Sequence, residues 1–514
     1  MPEAESRVRD HDGVWRRTRD LDPSTVTPRR GGRVAPTRYV ADRLIVRGVD
    51  DAAADVLVAA VRERARARGL QLEESVLDDA PSRAVAEPLT PRPSMVFRVT
   101  AGDDGASDDV WDLLDEVADA VDDEHRTRMS LDHVLTGHQQ WQGHGDPNQR
   151  VPAVFHGPPP RRVLAEGSSP LVTADGVPRP VVAVLDTGIG AHPWFDEPSR
   201  VVLRGATLDG VPLGTSVEDE PLYDAEVRGR RWDEAALLAA YAGHGTFIAG
   251  VVHQVCPDAA ILPVRIYGGD GQASEWDVAR TLEKVLEFHL RGIAGVPGHH
   301  PVDVLVLSGG YYAEQTDSDS DYDGVLRGRL RDLRRSGVLV VVSAGNDGST
   351  RPVYPAAWAP HVRRTPDGLV PQVPEDIRPD YTPLLPVAAG NPDGSLARFS
   401  NDGAWVSAVR PGTLVVSAMP TTFDGAAESE PSADGMRHTV DPDNFVSGFG
   451  LWSGTSFAAP VLAGELANEL LQNRSAASEL LGQTSNPAIA SQVLAAWTAV
   501  AGVDGLYEGV PVVV

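Results

Sequence analysis

The sequence predicts an α/β fold, a mostly parallel sheet with helices on both faces, preceded by a smaller α+β domain. Three observations predict it. Residues 181–185, 261–267, 302–307, 337–343 and 384–388 are apolar almost throughout, as strands covered on both faces are. Helical stretches at 246–254, 274–290, 322–336 and 456–471 fall between or after them, which is the alternation of a parallel sheet. Ahead of all of these, residues 44–134 run strand, helix, strand, strand, helix, strand.

Taken in order, residues 1–38 are rich in Arg, Asp and Pro with no apolar period and are expected to be a disordered tail. Residues 39–137 form the smaller domain. Its strands are expected at 44–46, 70–72, 95–99 and 129–134, and its helices at 52–67 and 108–121. The second helix carries Val110, Leu113, Leu114 and Val117 on one face. This order is that of a split β-α-β, ferredoxin-like domain. Residues 138–177 have linker composition, with Gly157-Pro158-Pro159-Pro160 at their centre, and residues 178–514 make the larger domain.

The chain has 514 residues, enough for two cores, and a formal charge of −27 from 46 basic and 73 acidic residues. That balance argues against nucleic acid and against an anionic membrane as partners. Lys284 is the single lysine and Cys256 the single cysteine, so no intramolecular disulfide can form. The stretch 488–503 comes nearest to a membrane span and is interrupted by Ser491, Gln492 and Thr498. The charged first twenty residues lack an apolar core segment, so the expected location is the cytoplasm, with leaderless export as the alternative.

Four short segments carry chemistry. Asp186 ends the apolar run 181–185, where a buried carboxylate can hold one imidazole tautomer. His244 stands between Gly243 and Gly245 at the head of a buried helix. Ser456, in Ser453-Gly454-Thr455-Ser456, opens a small-residue helix whose N-terminus favours the negative charge that develops as a hydroxyl attacks. Asn346 follows the strand 337–343 in a turn, from which its amide can donate to an oxyanion together with the Ser456 N–H. The triad order Asp, His, Ser is the one found in subtilisin.

In these segments, D-T-G at 186–188, H-G-T at 244–246, A-G-N at 344–346 and G-T-S at 454–456, the chain resembles the subtilase family of subtilisin-like serine peptidases over roughly residues 178–470. The resemblance implies peptide-bond hydrolysis through Asp186, His244 and Ser456 with Asn346 at the oxyanion. It implies a peptide or protein substrate paired as an edge strand with two segments, Gly269, Asp270 and Gly271 on one side and Ser308, Gly309 and Gly310 on the other. Asp270 and Glu275 hint at basic substrate side chains. The first domain resembles the family's propeptide and is expected to contact the larger domain, with any self-cleavage between His138 and Phe155.

No cofactor and no metal is expected. The His helix runs straight on through Cys256 without a calcium loop, and Asp317, Asp319, Asp321 and Asp323 lack the glycine and terminal Glu of an EF-hand loop. The stretches 349–386 and 420–445 are expected to be surface insertions near the cleft. Two further functions share these residues. One is a dedicated peptide-tailoring protease or transpeptidase acting on one precursor, and the other a catalytically silent peptide-binding pseudoprotease.

Overall fold

The computed structural model describes residues 6–26, 34–48, 52–77, 93–101, 109–137, 150–153, 169–195, 201–215, 238–314, 323–365, 368–373, 377–423, 444–474 and 486–507. Most of the 138–177 stretch, Asp317, Asp319 and Asp321, and residues 424–443 lie outside these.

In the N-terminal unit, β1 (Arg7–Arg9), β2 (Trp15–Leu21), β3 (Thr37–Arg47), β4 (Gln71–Leu77), β5 (Ser94–Thr100) and β6 (Met129–Thr136) form an antiparallel sheet. Helices α1 (Ala52–Ala67) and α2 (Val110–Ala120) pack against it, and one further turn, α3 (Asp123–Arg126), precedes β6. The order β6-β3-β5-β4 is that of a split β-α-β. Alternation sorts its side chains. Leu44, Val46, Phe97, Val99, Met129 and Leu131 pack against the helices, while Ile45, Val96, Leu77 and Leu135 join a core that includes Trp276 and Leu282 of the larger unit. The sheet is therefore covered on both faces.

The tail expected at 1–38 is corrected in part, because β1 and β2 lie within it. Their residues are mostly charged, and tertiary ion pairs hold them. Asp10 Oδ2 accepts from Arg16 Nε at 2.7 Å and from Arg43 Nη2 at 2.8 Å, all three being buried. Such order depends on a distant partner and leaves no periodic signal.

The larger unit is built on six parallel strands. They are β7 (Val181–Asp186), β8 (Ala260–Arg265), β10 (Val304–Leu307), β11 (Leu339–Ser343), β12 (Leu384–Gly390) and β13 (Ala408–Pro411), with a short β9 (Gln272–Ser274) outside that sheet. The spatial order is β8-β7-β10-β11-β12-β13. Helices α4 (His244–Val255), α7 (Thr455–Asn473) and α8 (Asn486–Gly502) share a core with Val182, Val184, Val304, Val306, Val341 and Val387. Helices α5 (Glu275–Ile293) and α6 (Val325–Arg335) share the other core with Val181, Ala183, Leu185, Leu305, Leu307 and Val342. Successive residues of one strand thus feed opposite cores, which is why these strands read as unbroken apolar runs.

The two units meet along β6. Its last residues pair antiparallel with β9, Thr136 opposite Gln272 and Val134 opposite Ser274. Arg43 crosses the junction, donating to Asp132 Oδ2 at 3.3 Å and to Asp277 Oδ2 at 3.1 Å. Asp132 Oδ1 in turn accepts the Trp276 N–H at 3.0 Å. Beside it, His133 is wholly buried between two carboxylates, Nδ1 to Glu275 Oε2 at 3.1 Å and Nε2 to Glu314 Oε2 at 2.7 Å, and its ring stacks on Tyr311.

Burial alone would lower the His133 pKa, but the Glu314 charge and the hydrogen bonds to both glutamates lift it from 6.5 to about 9. Its contribution is fully present below pH 6.5 and is lost as pH rises through about 9. Burial pushes Asp132 up from 3.8 to about 7 against the pull of Arg43, so its contribution also declines as pH rises, between those two values. Attachment of the N-terminal sheet is therefore expected to weaken steadily from about pH 6 to about pH 10, read as falling hydrogen-exchange protection factors, relative to the intrinsic rate at each pH, at Val134, Leu135 and Thr136. Tighter attachment at the alkaline end would contradict this reading of the junction.

Candidate active site

Asp186 is the last residue of β7 and is fully buried. Its backbone oxygen accepts the Ile266 N–H at 2.8 Å, which fixes the strand end, and its Oδ1 accepts the Thr187 N–H at 2.8 Å. His244 Nδ1 lies 2.8 Å from Asp186 Oδ1 and 2.9 Å from Oδ2. A carboxylate so placed holds the proton on Nδ1 and leaves Nε2 as the base.

The His helix can approach the Asp turn this closely because Gly245 lacks a side chain. A Cβ there would run into the Gly188 carbonyl oxygen and lie 3.1 Å from its nitrogen. Two hydroxyls lock the same contact, Thr187 Oγ1 accepting from Gly245 N at 3.0 Å and Thr246 Oγ1 from Gly190 N at 2.9 Å. Three aromatic rings, Tyr241, Trp452 and Phe457, surround the imidazole with centroids 5.1 to 5.2 Å away.

Helix α7 begins at Thr455, so Ser456 stands in its first turn, buried to 3% exposure. Gly454 supplies no side-chain cap. The cap comes from Asn346, whose Oδ1 accepts the Thr455 N–H at 2.8 Å and the Thr455 hydroxyl at 2.9 Å. With its oxygen committed, the amide presents Nδ2 as the remaining donor. Pro460 cannot supply the i→i−4 bond to Ser456, and the Ser456 carbonyl accepts the Ser308 hydroxyl instead at 3.3 Å. Ser308, Asn346 and the Ser456 turn are thereby joined, and Phe457 brings that turn against His244.

The end of β6 occupies the space between the two segments expected to bind substrate. Thr136 exchanges backbone hydrogen bonds with Gly310, at 2.9 and 3.0 Å, on one side and pairs with β9 on the other. The carbonyl of the next residue, Gly137, accepts from Asn346 Nδ2 at 3.2 Å. The amide that caps the Ser456 helix through its oxygen thus holds the Gly137 carbonyl through its nitrogen.

Of the expected binding residues, Gly310 pairs directly with Thr136, and a Cβ on Gly309 would lie 3.3 Å from the Thr136 carbonyl oxygen. Gly269, Asp270 and Gly271 form the turn leading into β9. The Gly269 carbonyl accepts the Tyr241 N–H at 2.9 Å, and Asp270 Oδ1 accepts the Gln272 N–H at 3.2 Å. Glu275 is buried against His133 of β6 and Tyr311 of the larger unit. Tyr241, Trp452, Thr455 and Gly137 were not singled out in the sequence. Thr455 sits inside the Gly-Thr-Ser run and was legible there, whereas Tyr241 and Gly137 lie in stretches without a periodic signal. Among the described residues no group of three or more His, Cys, Asp or Glu side chains is arranged to hold a metal ion.

Residues 178–487 match the model of the subtilase family. Subtilisin-like protease 4 of Trichophyton rubrum is 28% identical over 246 residues, which are 45% of this chain and 51% of that protein. Subtilisin BL of Lederbergia lenta is 25% identical over 276 residues, 51% of this chain and 76% of that one. The chain thus spans about half the length of the Trichophyton relative. Among solved structures, fervidolysin from Fervidobacterium pennivorans, a keratinolytic enzyme related to subtilisin, aligns with a TM-score of 0.44 at 18% identity, covering 84% of this chain and 55% of its own.

Gly245→Ala tests the close approach. The added methyl is expected to push α4 off the Asp turn, lowering stability by about 1–3 kcal/mol in urea unfolding. The low-field proton resonance of His244 Nδ1 is expected to shift or disappear with it. An unchanged resonance would show that the glycine does not set the Asp186–His244 distance.

Proposed function

The chain belongs to the subtilase family, and from that premise we propose that it is a serine endopeptidase working through an acyl-enzyme. The observation that carries this reading is the Gly137 carbonyl on Asn346 Nδ2, at the first turn of the Ser456 helix, with a buried Asp186–His244 pair alongside.

In the proposed reaction His244 Nε2 takes the Ser456 Oγ proton as Oγ bonds to the peptide carbon. The negative oxygen is held by Asn346 Nδ2 and the Ser456 N–H, and Asp186 stabilises the imidazolium. Collapse of the tetrahedral adduct breaks the C–N bond, and the proton on His244 passes to the leaving amine. Water, deprotonated by His244, then attacks the ester and releases the acid, restoring Ser456. Peptides are the proposed substrate, bound as a strand between the Gly310 segment and β9.

In the same proposal the N-terminal unit acts as an attached inhibitor, since β6 fills the strand position that a substrate needs. The dedicated-precursor reading draws support from the same contact, because the residue at Asn346 is the chain's own.

Replacing Ser456 by Ala is expected to lower peptide hydrolysis about a millionfold with folding intact. Asn346→Ala is expected to lower kcat by at least about 100- to 1000-fold, because it removes the oxyanion donor together with the cap on the Ser456 helix. Steady-state kinetics on a fluorogenic peptide check both, and retained hydrolysis in Ser456→Ala would remove Ser456 from the nucleophile role.

A further inference from the structure

We infer that Tyr241 restricts the residue whose carbonyl is attacked to glycine, so that this site cuts polypeptides on the carboxyl side of glycine, the chain's own Gly137–His138 bond among them. The inference rests on the serine peptidase reading and names its substrate class.

The residue at the attacked position is fixed by Asn346, whose Nδ2 donates to the Gly137 carbonyl at 3.2 Å. A Cβ built on Gly137 would lie 2.5 Å from Tyr241 Cζ and closer still to Cε1 and Oη. Non-bonded carbons meet at about 3.5 to 4.0 Å, so even a methyl group cannot share this space with the ring.

The ring has little room to withdraw. Its opposite edge lies on Gly271, where a Cβ would be 2.5 Å from Cγ and Cε2. Gly271 holds φ at +69°, so its turn is already one that favours glycine. The Tyr241 backbone is held at both ends, its N–H donating to the Gly269 carbonyl at 2.9 Å and its carbonyl accepting the His244 N–H at 3.0 Å. The ring itself stands edge-on to the imidazole, 5.1 Å away, and Tyr241 is 5% exposed. Displacing it would move either the Gly271 turn or the catalytic base.

Tyr241 is therefore wedged between two glycines, one from its own unit and one from the bound strand. The preceding residues are held as a substrate strand would be, Thr136 by Gly310 and β9, and Leu135 wholly buried. The reaction would follow the steps above. Ser456 Oγ bonds to the Gly137 carbonyl carbon, the bond to the His138 nitrogen breaks, and His244 returns the proton to that nitrogen before water releases residues 1–137. The cut falls one bond before the window 138–155 expected from linker composition.

The test uses the full chain, Gly137→Ala, and Gly137→Ala combined with Tyr241→Ala. Self-cleavage is followed by intact mass, and wild type is also incubated with a synthetic peptide library. Fluorophosphonate labelling of each protein reports whether the nucleophile is competent. Wild type is expected to release residues 1–137 and to cut library peptides after glycine. Gly137→Ala is expected to be cut about 100-fold more slowly, and adding Tyr241→Ala to bring the rate back to within about tenfold of wild type.

Cleavage of Gly137→Ala at the wild-type rate, or library cutting after larger residues as fast as after glycine, would overturn the inference. Probe labelling without cleavage of the chain or of any glycine peptide would overturn it while leaving Ser456 a competent nucleophile. Neither labelling nor cleavage would remove the peptidase reading together with it.

Discussion

The side-chain amide of Asn346 is committed at both ends. Its oxygen caps the helix that carries Ser456, taking the N–H and the hydroxyl of Thr455, and its nitrogen donates to the carbonyl lying in the cleft. One residue just after β11 therefore aligns the helix that carries Ser456 and holds a carbonyl beside its first turn. Gly345 N donates to Thr455 Oγ1 at 3.1 Å, which closes the link between strand end and helix start. In the proposed reaction an amide held this way reorganises little when charge develops on the carbonyl oxygen.

The parallel sheet makes this arrangement available. Asp186 ends β7, Asn346 follows β11, and Ser308 follows β10, so three neighbouring strands deliver their functional groups to one edge. His244 and Ser456 come in on helices packed side by side on one face of the sheet, where Phe247, Trp452 and Phe457 fill the space between them. Close packing against Gly245 brings the Asp186 turn and the His244 helix within hydrogen-bond reach of each other. The same device recurs where Gly464 of α7 lies against Val255 of α4, with room for no Cβ.

Five of the six parallel strands were legible as apolar runs because both their faces are covered, whereas the partly exposed edge strand β13 was not, and the four motif segments were legible as fixed residue combinations at strand ends and helix starts. What the sequence hid has a common physical cause. Asp10 and Arg16 read as a charged tail, yet Asp10 is held by buried ion pairs to Arg16 and to Arg43, which itself reaches Asp277, 234 positions away from it. Residues 488–503 read only as an apolar stretch interrupted by polar residues, and most of them fold within helix α8 because Val493, Trp497 and Val500 complete the core over α7. Helix α5 was expected from residue 274 and starts at Glu275, with Ser274 capping it by accepting the Asp277 N–H at 3.1 Å. Tyr241 gives no periodic signal, because its place is set by two glycines distant in sequence.

The central claim is that Ser456, positioned by Asn346 and served by the Asp186–His244 pair, is an activated nucleophile. The measurement that tests it most directly is peptide mapping by mass spectrometry of the residue that a fluorophosphonate modifies, in wild type and in Asp186→Asn. The account predicts a single adduct on Ser456 in wild type, with labelling slowed by several orders of magnitude in Asp186→Asn because the imidazole loses the partner that holds its tautomer. An adduct on another residue, or labelling of Ser456 at the same rate without Asp186, would contradict it.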